Sequence, residues 1–110
     1  MTYSQLKTLI LQVAHRSDLN AQVAQFVQNA QDKINQRLTL ALVPLVNPDD
    51  TDIILTQFPM LYVQAALISL YEFINEGELV QYYQGSWNDQ VDQYNITSTA
   101  AGTAPVIIGA

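Results

Sequence analysis

The sequence predicts an all-α protein: a four-helix unit of two antiparallel hairpins, with an extended middle loop or short β-hairpin arm and an extended C-terminal tail. Three observations carry this expectation. Apolar residues recur at i, i+3, i+4 and i+7 in separate stretches, the mark of helices with a buried face. Pro44 and Pro48 forbid a regular helix through the middle. From Ile96 onward Ser, Thr, Ala and Gly dominate, and then the β-branched run Val106-Ile107-Ile108 arrives. The expected division is a helical domain over 1–95, including the loop or arm 39–57, and a docking tail over 96–110.

The first helix is expected from Tyr3 to about His15. Thr2 with Gln5 three residues later fits a capping box, and Leu6, Leu9, Ile10 and Val13 share one face. "RSDLN" breaks this helix, and Asp18 or Asn20 can cap the next. The second helix is read from Ala21 to Leu38, with Val23, Phe26, Val27, Ala30, Ile34 and Leu38 in one stripe. Thr39–Gln57 holds two apolar runs, "LALVPLV" and "IIL", around the polar turn "NPDDTD". The third helix starts at Pro59, which suits a first helical turn, and runs to about Asn75. Gly77 is expected to end it as a C′ residue. The fourth helix follows from Glu78 to about Asn95, with Val80, Tyr83, Trp87, Val91 and Tyr94 as its seam. Gly85 inside it marks a gap or a close helix contact.

The third helix is apolar around almost its whole circumference, and such a helix must be buried on all sides. A unit of this size can hardly cover every side itself. Leu61, Ala65, Ile68 and Phe73 are therefore expected to meet a neighbouring copy. Tyr82, Tyr83 and Trp87 join that candidate interface, because Tyr and Trp are enriched where proteins meet.

Charge excludes some functions. The net charge is −6, all four basic residues (Lys7, Arg16, Lys33 and Arg37) lie in the first 37 positions, and from Asp49 there are eight acids and no Lys or Arg. Binding DNA phosphates needs a basic patch that releases counterions, and the sequence has none. Met60–Ile74, the most apolar stretch, is shorter than the ~20 residues that span a bilayer, so no membrane partner is expected. The absence of cysteine removes disulfide and thiolate chemistry.

Catalytic, cofactor and metal sites are not expected. His15 with Ser17 and Asp18 lacks the convergence from distant segments and the nucleophile elbow that a triad requires. It reads as a histidine at a helix C-terminus. Asp49, Asp50 and Asp52 lack the Gly and distal Glu of a calcium loop and read as a turn or cap cluster. Tyr82, Tyr83, Trp87 and Tyr94 could stack a ligand, but at helical spacing they read first as core or interface.

Two stretches carry a resemblance. "MTYSQLKTLILQVAHRSDLNAQVAQFVQNAQDKINQRL" resembles the first helical hairpin of head-to-tail adaptor proteins of tailed bacteriophages, through Thr2, Tyr3 and Leu6, then Phe26, Ala30, Ile34, Asn35 and Leu38. "FPMLYVQAALISLYEFINEGELVQYYQGSWNDQVDQYN" is similar to the family's later hairpin. Longer members carry a larger insertion where this chain has only Thr39–Gln57. The resemblance implies a structural, non-catalytic protein of the virion neck. It would form a homo-oligomeric ring of about twelve copies, between the portal protein and the tail or other neck proteins. DNA would pass through it without specific binding. Pro105, Val106, Ile107 and Ile108 would dock on a neighbouring copy or the portal, as an added strand or an apolar anchor. Two other classes fit the residues: a small helical regulatory module binding one partner protein, and a small-molecule-binding bundle using the Tyr/Trp cluster.

Overall fold

The computed structural model describes residues 1–100, with side chains to residue 96, and all its regular structure is helical. The elements are α1 (Tyr3–Ala14), a 3-10 turn (Ser17–Leu19), α2 (Val23–Leu38), α3 (Ile53–Gln57), α4 (Pro59–Phe73) and α5 (Gly77–Ala100).

α1 begins where its capping box places it. Gln5 N–H donates to Thr2 Oγ1 at 3.3 Å and Thr2 N–H to Gln5 Oε1 at 3.0 Å, so two N-terminal donors are satisfied reciprocally. It ends at His15, whose φ of 54° turns the chain into the left-handed region. The 3-10 turn then intervenes, and neither Asp18 nor Asn20 caps α2. Its N-cap is Gln22, with no side-chain cap bond.

α4 is the hub. It packs most extensively on α5 and α2 and also touches α1 and α3. Phe26 meets Phe73, Asn29 meets Ser69 and Gln31 meets Tyr62, so α2 and α4 run antiparallel. Tyr71 stacks on Tyr83 and Phe58, at the start of α4, meets Tyr94 edge-on, so α5 is antiparallel to α4 as well. α2 and α5 therefore flank α4 side by side in the same direction. α4 is buried from Leu61 to Ile68 without a gap, and again at Leu70 and Tyr71. Leu6 and Ile10 from α1, Val27 and Ile34 from α2, Ile54 and Leu55 from α3, and Trp87 and Val91 from α5 join it in one core. Each such side chain, fully buried, contributes about 1.5–3 kcal/mol.

This packing corrects the argument for a neighbouring copy. Leu61, Ala65, Ile68 and Trp87 are 1%, 2%, 4% and 1% exposed in a single chain. Four elements of the same chain surround α4, so its all-round apolarity needs no second copy to explain it.

The middle segment is neither a β-hairpin nor a free arm. Residues 40–52 form no strand, and Ile53-Ile54-Leu55 opens α3, because the Asp52 carboxylate caps it by accepting from Leu55 N–H at 2.8 Å. The segment is strapped down at both ends. Leu42 N–H donates to Asn35 Oδ1 at 2.9 Å, and Gln31 Nε2 donates to the Val43 carbonyl at 2.8 Å. Further along, Tyr3 and Ser4 donate their N–H groups to the carbonyls of Asp50 (2.8 Å) and Pro48 (3.0 Å). Those are first-turn donors of α1 that would otherwise lack partners.

The α4–α5 joint also differs from expectation. Asn75, with φ of 60°, makes the left-handed turn, and Gly77 begins α5. α5 runs on to Ala100, beyond the expected domain boundary at residue 95. Gly85 is exposed, and a Cβ there would meet nothing within 4 Å, so it marks no close helix contact.

Candidate functional site

The structure scatters the expected interface. Leu61, Ala65, Ile68 and Trp87 belong to the core, whereas Phe73 (55% exposed) and Tyr82 (66%) lie open and Tyr83 is half-buried. Pro105, Val106, Ile107 and Ile108 lie outside the described residues.

Among the described residues, the exposed large apolar side chains lie near helix ends and on the strapped segment. One end holds the α1–α2 and α4–α5 joints and exposes Val13, Phe73, Leu79 and Tyr82. The other exposes Met1, Ile53, Met60 and Ile96, and the strapped segment, which passes Gln31 in the middle of α2, exposes Val43 and Val46. Val43 and Val46 are 78% and 70% exposed, because the Gln31 and Asp50 hydrogen bonds hold this backbone while Leu40, Leu42 and Leu45 turn toward the core. Single exposed apolar residues are ordinary, but grouped ones mark contact surfaces.

The acidic turn is structural. Asp50 accepts from the N–H groups of Val46 (2.9 Å) and Asn47 (2.8 Å), which hold its carboxyl below the usual carboxylate range. Asp52 caps α3 and also accepts from the Tyr62 hydroxyl. Near His15, the Arg16 guanidinium takes both Asp18 oxygens at 2.9 and 2.8 Å and holds that carboxyl down. The Ser17–His15–Asp18 grouping thus has its acid engaged elsewhere. The open crevice beside it, about 690 Å³, is lined by Thr8, Leu11, Gln12, His15, Arg16, Ser17 and Asn20.

A second cleft lies between α2 and α5. Lys33 and Arg37 sit one helical turn apart on α2 and both reach over the Trp87 ring, with Nζ at 4.8 Å and Cζ at 5.7 Å from its centroid. The indole is fixed at its edge, where Nε1 donates to the Leu61 carbonyl at 3.0 Å. Lys33 donates to Gln84 Oε1 at 2.6 Å and Arg37 to Asn88 Oδ1 at 3.2 Å. Burial holds the Lys33 ammonium below the ordinary lysine value; Glu72 opposes this and the Arg37 charge adds to it. The sequence puts Lys33 on the face of α2 opposite its apolar stripe, and Trp87 reads as interface or core. Their meeting depends on α2 and α5 lying side by side, which no local pattern encodes.

Among the described residues, no group of His, Cys, Asp or Glu could hold a metal ion, and no helix is long and apolar enough to cross a membrane. No protein-family model matches the chain, and no curated protein and no solved structure is significantly similar to it.

Proposed function

We propose that the chain is a structural head-to-tail adaptor of a tailed-bacteriophage virion. In this reading copies form a ring of about twelve subunits between the portal protein and the tail or other neck proteins, and the ring continues the DNA channel. The observation that supports it is that exposed apolar residues form two sets, one at the α1–α2 and α4–α5 joints and one on the strapped segment and the helix ends beside it. An adaptor needs a contact surface at each end, and a two-ended molecule supplies them. The fixed side-by-side packing of α2, α4 and α5 keeps the ends a constant distance apart, as a spacer between rigid machines requires. The acidic C-terminal half fits a channel that DNA slides through, because Lys and Arg lining would hold it by counterion release. The interface residues retained in this reading are Phe73, Tyr82 and Tyr83, joined by Val43 and Val46 on the strapped segment. Pro105 to Ile108 would serve as the attachment tag, and repetition around a ring would multiply its weak binding.

The test is mass in solution by light scattering, with electron microscopy of the chain alone and mixed with portal rings. A ring, or multiple copies seated on the portal, is expected. A chain lacking residues 105–110 should keep its helical signal and lose portal occupancy. A stable 1:1 complex with one host protein and no multimer would instead support the regulatory-module reading.

A further inference from the structure

Half of the chain's four basic residues are brought to one place, the cleft between α2 and α5. Lys33, Gln36, Arg37, Gln84 and Trp87 line it, and its volume is about 390 Å³. Among the described residues neither cation has a carboxylate partner, and the ion pair is Arg16–Asp18, beyond the far end of α2. Each is instead oriented by one side-chain amide oxygen, which fixes direction without neutralising charge. An ammonium offers three donors and a guanidinium five, so most remain free. Glu72 is felt by Lys33 electrostatically but does not reach ion-pair distance.

This arrangement is unusual for a chain of net charge −6. Two like charges one turn apart repel each other, and partial burial costs Lys33 further. Both costs fall if an anion enters. The Trp87 face offsets part of them, but a ring quadrupole is a weaker partner than an oxyanion held by charge-assisted hydrogen bonds. The rest of the surface is acidic and would repel a long polyanion, so the cleft suits one compact group.

We propose that the Lys33–Arg37 cleft is a receptor for a single oxyanionic group, a carboxylate or a phosphate, held by the two cations and flanked by the Gln84 and Asn88 amides. The source is either a free small anion or an acidic side chain of a second copy. This holds whether or not the chain forms a ring.

Trp87 is the sole tryptophan and lies directly under both cations, so its emission reports occupancy. The full chain is titrated with inorganic phosphate and with acetate at constant ionic strength, chloride being the replaced ion. A saturable change within tens of millimolar is expected. Lys33→Met with Arg37→Met keeps the aliphatic cover over the indole and should weaken the response at least tenfold; Lys33→Arg should retain it. Arg37 is exposed, so Arg37→Met alone gives a folded comparison, checked by far-ultraviolet circular dichroism, and should weaken the response by itself. Sedimentation separates the sources. Self-association dispersed by phosphate assigns the group to a second copy, and a monomer that responds assigns it to a free anion. No saturable response beyond chloride, or an unchanged response in the folded methionine variants, overturns the proposal. So does a response to duplex DNA with none to phosphate or acetate.

Discussion

Replacing Tyr62 by Phe removes one oxygen from the least exposed part of the fold. Tyr62 is 0% exposed, its hydroxyl donates to Asp52 Oδ2, and it accepts from Gln31 Nε2 at 3.1 Å. Gln31 keeps a second acceptor, the Val43 carbonyl, and Asp52 is only half-buried and keeps its bond from Leu55 N–H. The loss is therefore close to one hydrogen bond to a charged group, about 1.5–3 kcal/mol. At about 4 °C per kcal/mol for a domain of this size, Tm should fall by roughly 6–12 °C. A second signature is independent of that magnitude. Burial, reinforced by the Asp52 charge and hydrogen bond, raises the Tyr62 phenol well above its ordinary value of 10.0. The folded chain then holds this proton more tightly than the unfolded chain. The contribution is complete below pH 10 and is lost as pH rises above it, at about 1.4 kcal/mol per pH unit. Tyr3 and Tyr71 are raised too, but they are present in both proteins, so the difference isolates Tyr62. Urea unfolding between pH 7 and 11, followed by circular dichroism, measures both. A variant within about 0.5 kcal/mol of the parent, or equal slopes above pH 10, would refute the assignment of Tyr62 and Asp52 as a buried clamp between α4 and the cap of α3.

Three other substitutions test the fold more simply. Gly85→Ala should stabilise the chain by about 0.5–1 kcal/mol, read as a higher urea midpoint, because the added methyl meets only open space. Thr39 closes α2 at φ of 55°, a strained place for a β-branched residue. Thr39→Asn should therefore raise stability by about 1 kcal/mol, with the helical signal unchanged. Ile68→Ala should cost about 2–5 kcal/mol in an unfolding transition that does not depend on protein concentration, since its cover comes from the same chain; a concentration-dependent transition would return Ile68 to an interface between copies.

The longer helices were legible because local signals marked their ends. Thr2 with Gln5 set the start of α1, and Pro59 set the start of α4. The seam Trp87, Val91 and Tyr94 read correctly as the inward face of α5. The short α3 was missed because Ile53-Ile54-Leu55 has strand propensity, and only the Asp52 cap, three residues before Leu55, points the other way. The Asn75 turn was missed because a nearby Gly77 is the commoner left-handed residue. The larger error was geometric. An apolar circumference on α4 says that it is covered but not by what, and a single sequence does not reveal that α1, α2, α3 and α5 converge on it. The same limit hid the cleft, since Lys33 and Trp87 are distant in sequence and each has an ordinary reading alone.

The central place of α4 has a consequence for the nascent chain. α2 buries its stripe chiefly against α4, while α1 divides its smaller contact between α4 and α2. Until α4 is made, α2 lacks the partner that covers most of its apolar face. The Tyr3 and Ser4 amides wait for Asp50 and Pro48, and the apolar faces wait until Phe73 has emerged. α5 arrives last and closes over Leu61 through Trp87. The interval before α4 is complete thus exposes hydrophobic helices, the condition in which holding chaperones are recruited. The amide-rich faces of α2 give the unfinished chain some solubility during that interval without adding charges that the finished core would have to bury.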